Sequence, residues 1–320
     1  MKSIPIFLSS DNNYAPFVAT TIASICNNTK SFCDFYILDG GIQEENKEKI
    51  CELKKQFINF SIEFIKIDLE KEFSTIHYEN CCKHVSLSTY NRFLIPKLKP
   101  ELKRVLYLDV DIIVLGDISE LYNQDLEGYM LGAIPEQINE KEINLYKQIL
   151  KLSETHHYFN AGILLIDLEQ WILEDIMSKL FEIESKRRND LLHADQDVLN
   201  ICFNDSYKVL DFKFNYETNN NQELEQDKQE IVIRHFNTGI KPWNILPTVK
   251  TNLINNIDDF YYYLSKTPFN KSVLDKCEYK YPEQLHKLRL IKLLEKKRVP
   301  TIEDCIKYKN KKQESIINNA

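Results

Sequence analysis

"RVLYLDVDIIVLGD", residues 104–117, sets an almost unbroken run of Val, Leu, Ile and Tyr around two aspartates one residue apart. Apolar at nearly every position, the run predicts a central strand covered on both faces of a sheet. Carboxylates are costly to bury without a counter-charge. Asp109 and Asp111 are therefore expected at the carboxyl end of that strand, where open parallel sheets bind ligands. Alternation along an extended backbone turns both side chains to the same side. Two carboxylates so placed repel each other unless a hard cation such as Mn²⁺ or Mg²⁺ lies between them, and such an ion would also hold a diphosphate. The competing reading is ordinary turn or cap chemistry, which aspartate also serves.

Upstream of this run the pattern alternates between strand and helix. "IPIFLSS" (4–10) reads as a buried strand. "NNYAPFVATTIASICNN" follows as a turn and a helix with Phe17, Thr21, Ile22 and Ile25 at helical spacing. "DFYILDGG" is a second strand, "QEENKEKICELKKQF" a charged helix turning Ile50 and Leu53 inward, and "FSIEFIKIDL" a third strand. This order is the signature of a parallel α/β sheet. "SLSTYNRFLIPKL" predicts a helix stopping before Pro96. "YFNAGILLIDLEQW" (158–171) reads as a strand entering a helix, "ADQDVLNICF" as a short helix, and "EIVIRHF" as a late strand. From about 245 onward the chain reads as helical and Lys-rich. The division expected is one α/β domain over 1–250 and a helical, Lys-rich appendage over 251–320.

Composition narrows the function. With 43% apolar residues in 320, the chain has material for a substantial core. Seven glycines, with no GxGxxG and no GxxxxGK[ST], weaken dinucleotide-binding and P-loop readings. The net charge of −7 divides into about +6 from Lys276 onward and about −13 before it, and an acidic body argues against nucleic acid as a partner. None of the eight cysteines forms a CxxC pair, which disfavours structural zinc. The opening MKSIPIFLSSDN is too short in apolar residues for a signal peptide. No stretch reaches the roughly 20 apolar residues of a membrane span. Free thiols and these absences lead us to expect a cytoplasmic location.

Two further segments carry chemistry. In "RHFNTGIKPW" (234–243) His235 ends a strand and suits Mn²⁺ as a third ligand, and Lys241 is a compact charge for a phosphate. "ADQDVLN" places Asp195, Gln196 and Asp197 at a helix start, where capping is the ordinary alternative. In "FNAG", Asn160 and Gly162 are open to turn or packing roles.

Taken in order, "SSDNNY", "HVSLSTYNRF", "VLYLDVDIIV", "YFNAGILLIDLEQW", "DQDVLN" and "HFNTGIKPW" resemble the family-8 glycosyltransferases. The likeness is to the bacterial lipooligosaccharide α-galactosyltransferases and lipopolysaccharide glucosyl- or galactosyltransferases, and it spans about residues 4–245. It implies a GT-A fold: an α/β, Rossmann-like mixed sheet with helices on both faces. It also implies Mn²⁺-dependent, retaining transfer of a hexose from UDP-galactose or UDP-glucose to a saccharide acceptor, lipid-linked in lipopolysaccharide synthesis. Carried over residue by residue, Asp109, Asp111 and His235 look like the metal ligands. Ser9, Asp11, Asn13, Tyr14, Arg92, Val110, Asn160, Asp195 and Lys241 look like donor contacts, with Asp11 and Asn13 addressing uridine and Tyr14 stacking on uracil. Gln196 corresponds to the residue beside the β face of the anomeric carbon, and with Asp195 forms the catalytic pair. His84 and Glu136 match acceptor-side positions.

The departures lie around the acceptor. Thr238 stands where the family has glycine, with Gly239 shifted one place, so the loop over the diphosphate is expected to differ in shape. Residues 137–157 and those after 245 depart as well, and acceptor identity does not carry over. The basic, Leu-rich "LHKLRLIKLLEKKR" (285–298) has the composition of a peripheral membrane contact, although its leucines scatter around the helix axis. Packing on the body or on a second copy is the alternative. A metal-dependent nucleotidyltransferase would explain the aspartate pair but leaves His235 and "KPW" without a role. A silent UDP-sugar-binding protein is the other rival.

Overall fold

The computed structural model describes residues 3–74, 76, 87–217, 231–237, 241–244 and 257–280. His84, Thr238, Gly239 and the segment 285–298 lie outside the described residues. Strand β1 (Ile4–Ser10) sends Ile4, Ile6 and Leu8 into one apolar layer and Phe7 into the other. Helix α1 (Ala15–Asn28) carries Pro16 in its first turn, where a missing N–H costs nothing, and buries Phe17, Thr21, Ile22 and Ile25. Strand β2 (Cys33–Asp39), helix α2 (Glu44–Cys51) and strand β3 (Phe60–Lys66) follow as expected, with Ile50 and Leu53 facing inward. After α3 (Leu69–Glu72) and α4 (Ile95–Leu98) come β4 (Arg104–Leu108), β5 (Ile112–Val114), α5 (Ser119–Tyr122), β6 (Leu131–Pro135) and α6 (Glu140–Leu150). Next are β7 (Phe159–Asp167), α7 (Leu168–Leu173), α8 (Ile176–Arg187), α9 (Asp195–Cys202), β8 (Lys208–Val209), β9 (Tyr216–Glu217) and β10 (Ile233–His235). The last described helices are α10 (Ile257–Leu264) and α11 (Asn270–Lys280).

A seven-stranded sheet runs in the order β3-β2-β1-β4-β7-β6-β8, beside a three-stranded sheet, β5-β10-β9. The first four strands are parallel. Strand β7 is antiparallel to both β4 and β6, so the sheet is mixed, as the resemblance implies. In β4, Leu106 and Leu108 enter one core while Val105 and Tyr107 enter the other, which explains why its sequence is apolar throughout.

Two expectations are corrected. Residues 104–117 do not form one strand: β4 ends at Leu108 and β5 begins at Ile112 in the other sheet, with the aspartates at the break. The cause is long-range pairing, since Asp109 N–H donates to Gly162 O at 2.7 Å and Phe236 N–H donates to Asp111 O at 2.9 Å. Nor does the segment before Pro96 form an α-helix. Residues 87–94 wind as a 3₁₀-helix, and Pro96 lies in the first turn of α4, where its fixed φ fits.

The C-terminal side of the described chain packs onto the sheet. Ile257, Phe260, Tyr261, Tyr263 and Leu264 of α10 join the same apolar layer as α1 and β5. Asn28 Nδ2 lies 2.8 Å from Val114 O and 2.7 Å from Tyr263 Oη, tying α1 to both. Among the described residues, no helix is long and apolar enough to cross a membrane. Phe260 sits against the rings of Phe17, Phe236 and Trp243. Its replacement by alanine is expected to cost about 3–5 kcal/mol and to lower the urea midpoint of the whole domain. An unchanged midpoint would mean that α10 belongs to a separately folding appendage.

Candidate active site

The sheet brings several strand ends to one edge. Asp109 follows the end of β4, Glu136 follows the end of β6, and antiparallel β7 delivers its first residues, Phe159–Gly162, to the same place. The pairing of β6 with β7 jumps from Ala133↔Leu164 to Ile134↔Asn160, leaving Ala161–Ile163 without partners on β6. Such an irregularity re-aims side chains at a sheet edge, and here it turns Asn160 inward. The amino end of α9 presents Asp195 and Gln196 from the other side. Strand β10 pairs with β5 so that His235 lies opposite Ile112, next to the aspartates.

The result is a pocket of about 370 Å³ whose lining includes Arg92, Asp109, Asp111, Glu136, Asn160, Asp195, Gln196 and His235. Asp109, Asp111 and His235 each offer one ligand atom, all within 4.8 Å of one another. His235 Nε2 lies 3.2 Å from Asp111 Oδ1 and 3.9 Å from Asp109 Oδ2. Its Nδ1 is 2.8 Å from Asn215 Oδ1. A proton on Nδ1, donated to that amide oxygen, leaves the Nε2 lone pair facing two carboxylates, an arrangement that a divalent cation satisfies. Gly162 makes the close approach possible. A Cβ there would stand 2.5 Å from His235 Cε1 and 2.8 Å from Asp109 Oδ2. The two oxygen donors and one imidazole therefore fit a hard-to-borderline divalent ion.

Cations already balance the carboxylates. Lys241 Nζ lies 2.7 Å from Asp111 Oδ2 and donates to Phe236 O at 2.7 Å. Burial works against the Asp111 charge, yet Lys241 and His235 hold its carboxyl well below the usual carboxylate range. Arg92 is buried, stacks over the Tyr107 ring at 4.2 Å and reaches Asp109 Oδ1 at 3.1 Å, Asp195 Oδ2 at 2.9 Å and Ala161 O. Asp195 is 4% exposed. Burial pushes its carboxyl up to about 6, against the pull of Arg92 and of the Thr89 hydroxyl, 2.5 Å away. Glu136 Oε2 accepts from Asn160 Nδ2 and Gln196 Nε2, each at 3.0 Å. Behind it, burial and then the charge of Glu136 push the Glu217 carboxyl well above the carboxylate range.

Other expected residues lie outside this lining. Asp11 Oδ1 accepts the N–H groups of Asn13 and Tyr14 at 2.8 and 3.0 Å, closing the turn into α1. Asn13 is exposed, and Tyr14 stands edge-on to Phe17 and Trp243. Ser9 Oγ donates to Ser88 O and accepts from Asn91 Nδ2. Val110 turns into the core, its carbonyl accepting from Thr21. Sequence reading missed Asn215, Thr89, Tyr107 and Glu217. Asn215 lies in "FKFNYE", where nothing local marks it, because its role comes from the position of β9 beside β10.

A Rossmann-like sheet merged with a second, mixed half, carrying a carboxylate–imidazole cluster at its edge, defines a GT-A glycosyltransferase. Residues 5–246 match the model of glycosyl transferase family 8, and the chain belongs to that family. It is 29% identical to the lipopolysaccharide 1,2-glucosyltransferase of Escherichia coli K12, over 75% of this chain and 73% of that one. It is likewise 29% identical to the lipopolysaccharide 1,3-galactosyltransferase of Salmonella typhimurium, over 73% and 71%. The crystal structure of galactosyltransferase LgtC with donor and acceptor sugar analogues superposes with a TM-score of 0.72 at 26% identity, covering 83% of this chain and 96% of that one.

The Asn215–His235 contact yields a prediction. Outer partners of metal-bound histidines typically support affinity by 10–100-fold. Asn215→Ala is expected to weaken divalent-cation binding at this cluster by about that factor, read by calorimetric titration. Unchanged affinity would exclude His235 as a ligand oriented by Asn215.

Proposed function

We propose that this protein transfers a hexose, galactose or glucose, from a UDP-sugar to a saccharide acceptor with retention of anomeric configuration, dependent on Mn²⁺ (or Mg²⁺). The observation that carries the reading is the Asp109–Asp111–His235 cluster at the pocket floor, flanked by Arg92 and Lys241, in a family-8 chain. Asp109, Asp111 and His235 hold the metal in this reading, and a divalent ion there would neutralise charge on the diphosphate. Lys241, held on Asp111 as described, moves the short distance to the departing phosphates. Arg92 meets sugar hydroxyls or phosphate through its fork of donors. Ser9, Asp11, Asn13, Tyr14 and Val110 serve the nucleotide, and Asn160, Asp195 and Gln196 the hexose. Glu136 faces the acceptor, with His84 assigned to the same side by resemblance alone.

The chemistry we favour is attack on the face from which UDP departs. The acceptor hydroxyl oxygen bonds to the anomeric carbon as the bond to the β-phosphate oxygen breaks. The electron pair leaves with UDP, and a β-phosphate oxygen takes the hydroxyl proton. A neutral amide, Gln196, on the other face is a poor nucleophile, and the nearby Asp195 carboxyl is engaged by Arg92 and Thr89. Relatives named as lipopolysaccharide glucosyl- and galactosyltransferases support a lipid-linked acceptor. The location that accords with it is cytoplasmic, peripheral at the inner face of the membrane, with the basic segment 285–298 as the contact.

UDP release from UDP-galactose and UDP-glucose, measured without acceptor, tests the reading. We expect slow hydrolysis of one of them with Mn²⁺, lost on chelation and restored by the metal. Asp111→Asn should reduce it by at least about 100-fold, as expected where transition-state charge goes unbalanced. Activity retained in that variant, or insensitive to chelation, would defeat the metal assignment.

A further inference from the structure

Gln196 is held at both ends of its amide. Its Oε1 accepts the Ala161 N–H at 3.0 Å. Its Nε2 lies 3.0 Å from Glu136 Oε2 and 3.2 Å from Tyr158 Oη. Tyr158 is 1% exposed, and its hydroxyl stands 2.6 Å from Asp197 Oδ1. Asp197, fully buried, also accepts the backbone N–H groups of Leu192 and His193 on Oδ2, the latter at 2.7 Å.

Donor and acceptor roles follow from the two ends of this chain of contacts. Backbone N–H groups only donate. Leu192 and His193 therefore fix the Asp197 carboxyl as an acceptor, and Ala161 fixes the Gln196 oxygen as an acceptor. Between them, the Tyr158 hydroxyl gives its proton to Asp197 and offers its oxygen to the Gln196 NH₂. An amide turned over would set its oxygen against the lone pairs of Tyr158 and Glu136 and its NH₂ against the Ala161 N–H. The backbone beside this relay is itself constrained. Ala194, just before Asp195 and Gln196, has φ 48° and ψ −119°, a conformation unfavourable for a residue with a Cβ. The Asp197 bonds to Leu192 and His193 hold the segment that carries this strain.

We propose that Tyr158 is a positioning residue that acts through Gln196. By holding the amide nitrogen, together with Glu136, it keeps the amide oxygen's remaining lone pair available to the pocket. The proposal rests on the reading above, which sets Gln196 beside the anomeric carbon. An amide oxygen there favours positive charge developing on that carbon, whereas a reversed amide would present NH₂ and oppose it. Tyr158 itself touches no substrate, so its effect belongs to kcat and not to donor KM.

Mn²⁺-dependent hydrolysis of UDP-galactose and UDP-glucose, in a double-mutant cycle, tests this. Tyr158→Phe keeps the ring and is expected to lower kcat about 5–10-fold, the loss of one hydrogen bond of the amide. Donor KM should stay within about twofold, while the Tm should fall by a few degrees, because the buried Asp197 Oδ1 loses its donor. Added to Gln196→Ala, the same substitution should change kcat less than about twofold, since its target is gone. Asp197→Asn, which cuts the relay one step earlier, should show the same dependence on background and covers the case of a poorly folding Tyr158→Phe. Equal losses in both backgrounds, or a wild-type kcat for Tyr158→Phe beside an impaired Gln196→Ala, would overturn the relay alone. A fully active Gln196→Ala would remove the role of Gln196 and the relay with it. No turnover of either donor by the wild-type protein would remove the functional reading on which both stand.

Discussion

Everything at this sheet edge depends on how two carboxylates, one residue apart, are kept from repelling each other. At about 4 Å and an effective dielectric near 20, a pair of unit charges interacts by about 4 kcal/mol, a large fraction of a domain's net stability. The fold answers with a separate cation for each. Arg92, from a 3₁₀-helix, takes Asp109, and Lys241, from beyond β10, takes Asp111, with His235 between them. Arg92 precedes the aspartates while His235 and Lys241 come from a segment far beyond them in the chain, so the site is a product of topology. The same requirement explains why the apolar run must break. Asp109 and Asp111 bond through their backbones to different sheets, and the seam between the sheets is where the carboxylates find both their cations and the pocket.

The strands and their faces were legible because burial on both sides leaves a simple trace: Val, Leu, Ile and Tyr without alternation in β4, and again in β7. The aspartate pair was legible because it violates that trace. The break at residues 109–111 was not, since the chain bends at Val110 and Asp111 and the partners that fix this bend, Gly162 and Phe236, are remote in sequence. The 3₁₀ winding of 87–94 was equally hidden, because apolar spacing hardly separates it from an α-helix over two turns. His235 could be picked out at a strand end, but not Asn215. An asparagine before a two-residue strand has no periodicity to betray it, and its contact exists only once β9 lies beside β10.

Position in the sheet also explains which expected residues the pocket gathers. Arg92, Asp109, Glu136, Asn160, Asp195 and Gln196 all lie within one or two residues of an element end at the same edge, or on the 3₁₀-helix beside it. Asp11, Asn13 and Tyr14 follow β1 at that edge too, but their bonds close the turn into α1. The local aromatic packing of Tyr14 with Phe17 and Trp243 links this turn to the residues just after Lys241. A nucleotide contact and a structural turn are therefore compatible in the same four residues. The turn's hydrogen bonds use Asp11 Oδ1 and backbone N–H groups, leaving the Asn13 side chain and the Tyr14 ring on the surface.

The charge distribution within the pocket gives the proposed chemistry its direction. Arg92 and Lys241 flank Asp109 and Asp111, while Glu136 lines the same pocket and holds the neutral amides of Asn160 and Gln196. A departing diphosphate gains negative charge, and the carbon it leaves becomes electron-poor. Cations beside the diphosphate and carboxyl and amide oxygens beside the sugar match those two changes without any protein side chain having to take the acceptor's proton. The amides do more than fill space. Asn160 and Gln196 both donate to Glu136 Oε2, so each turns its oxygen elsewhere, Asn160 onto the Gly162 N–H and Gln196 onto the Ala161 N–H. The irregular stretch of β7 supplies both of those N–H groups. The bulge that interrupts its pairing with β6 is thus what frees the backbone donors that set the polarity of the sugar-facing wall.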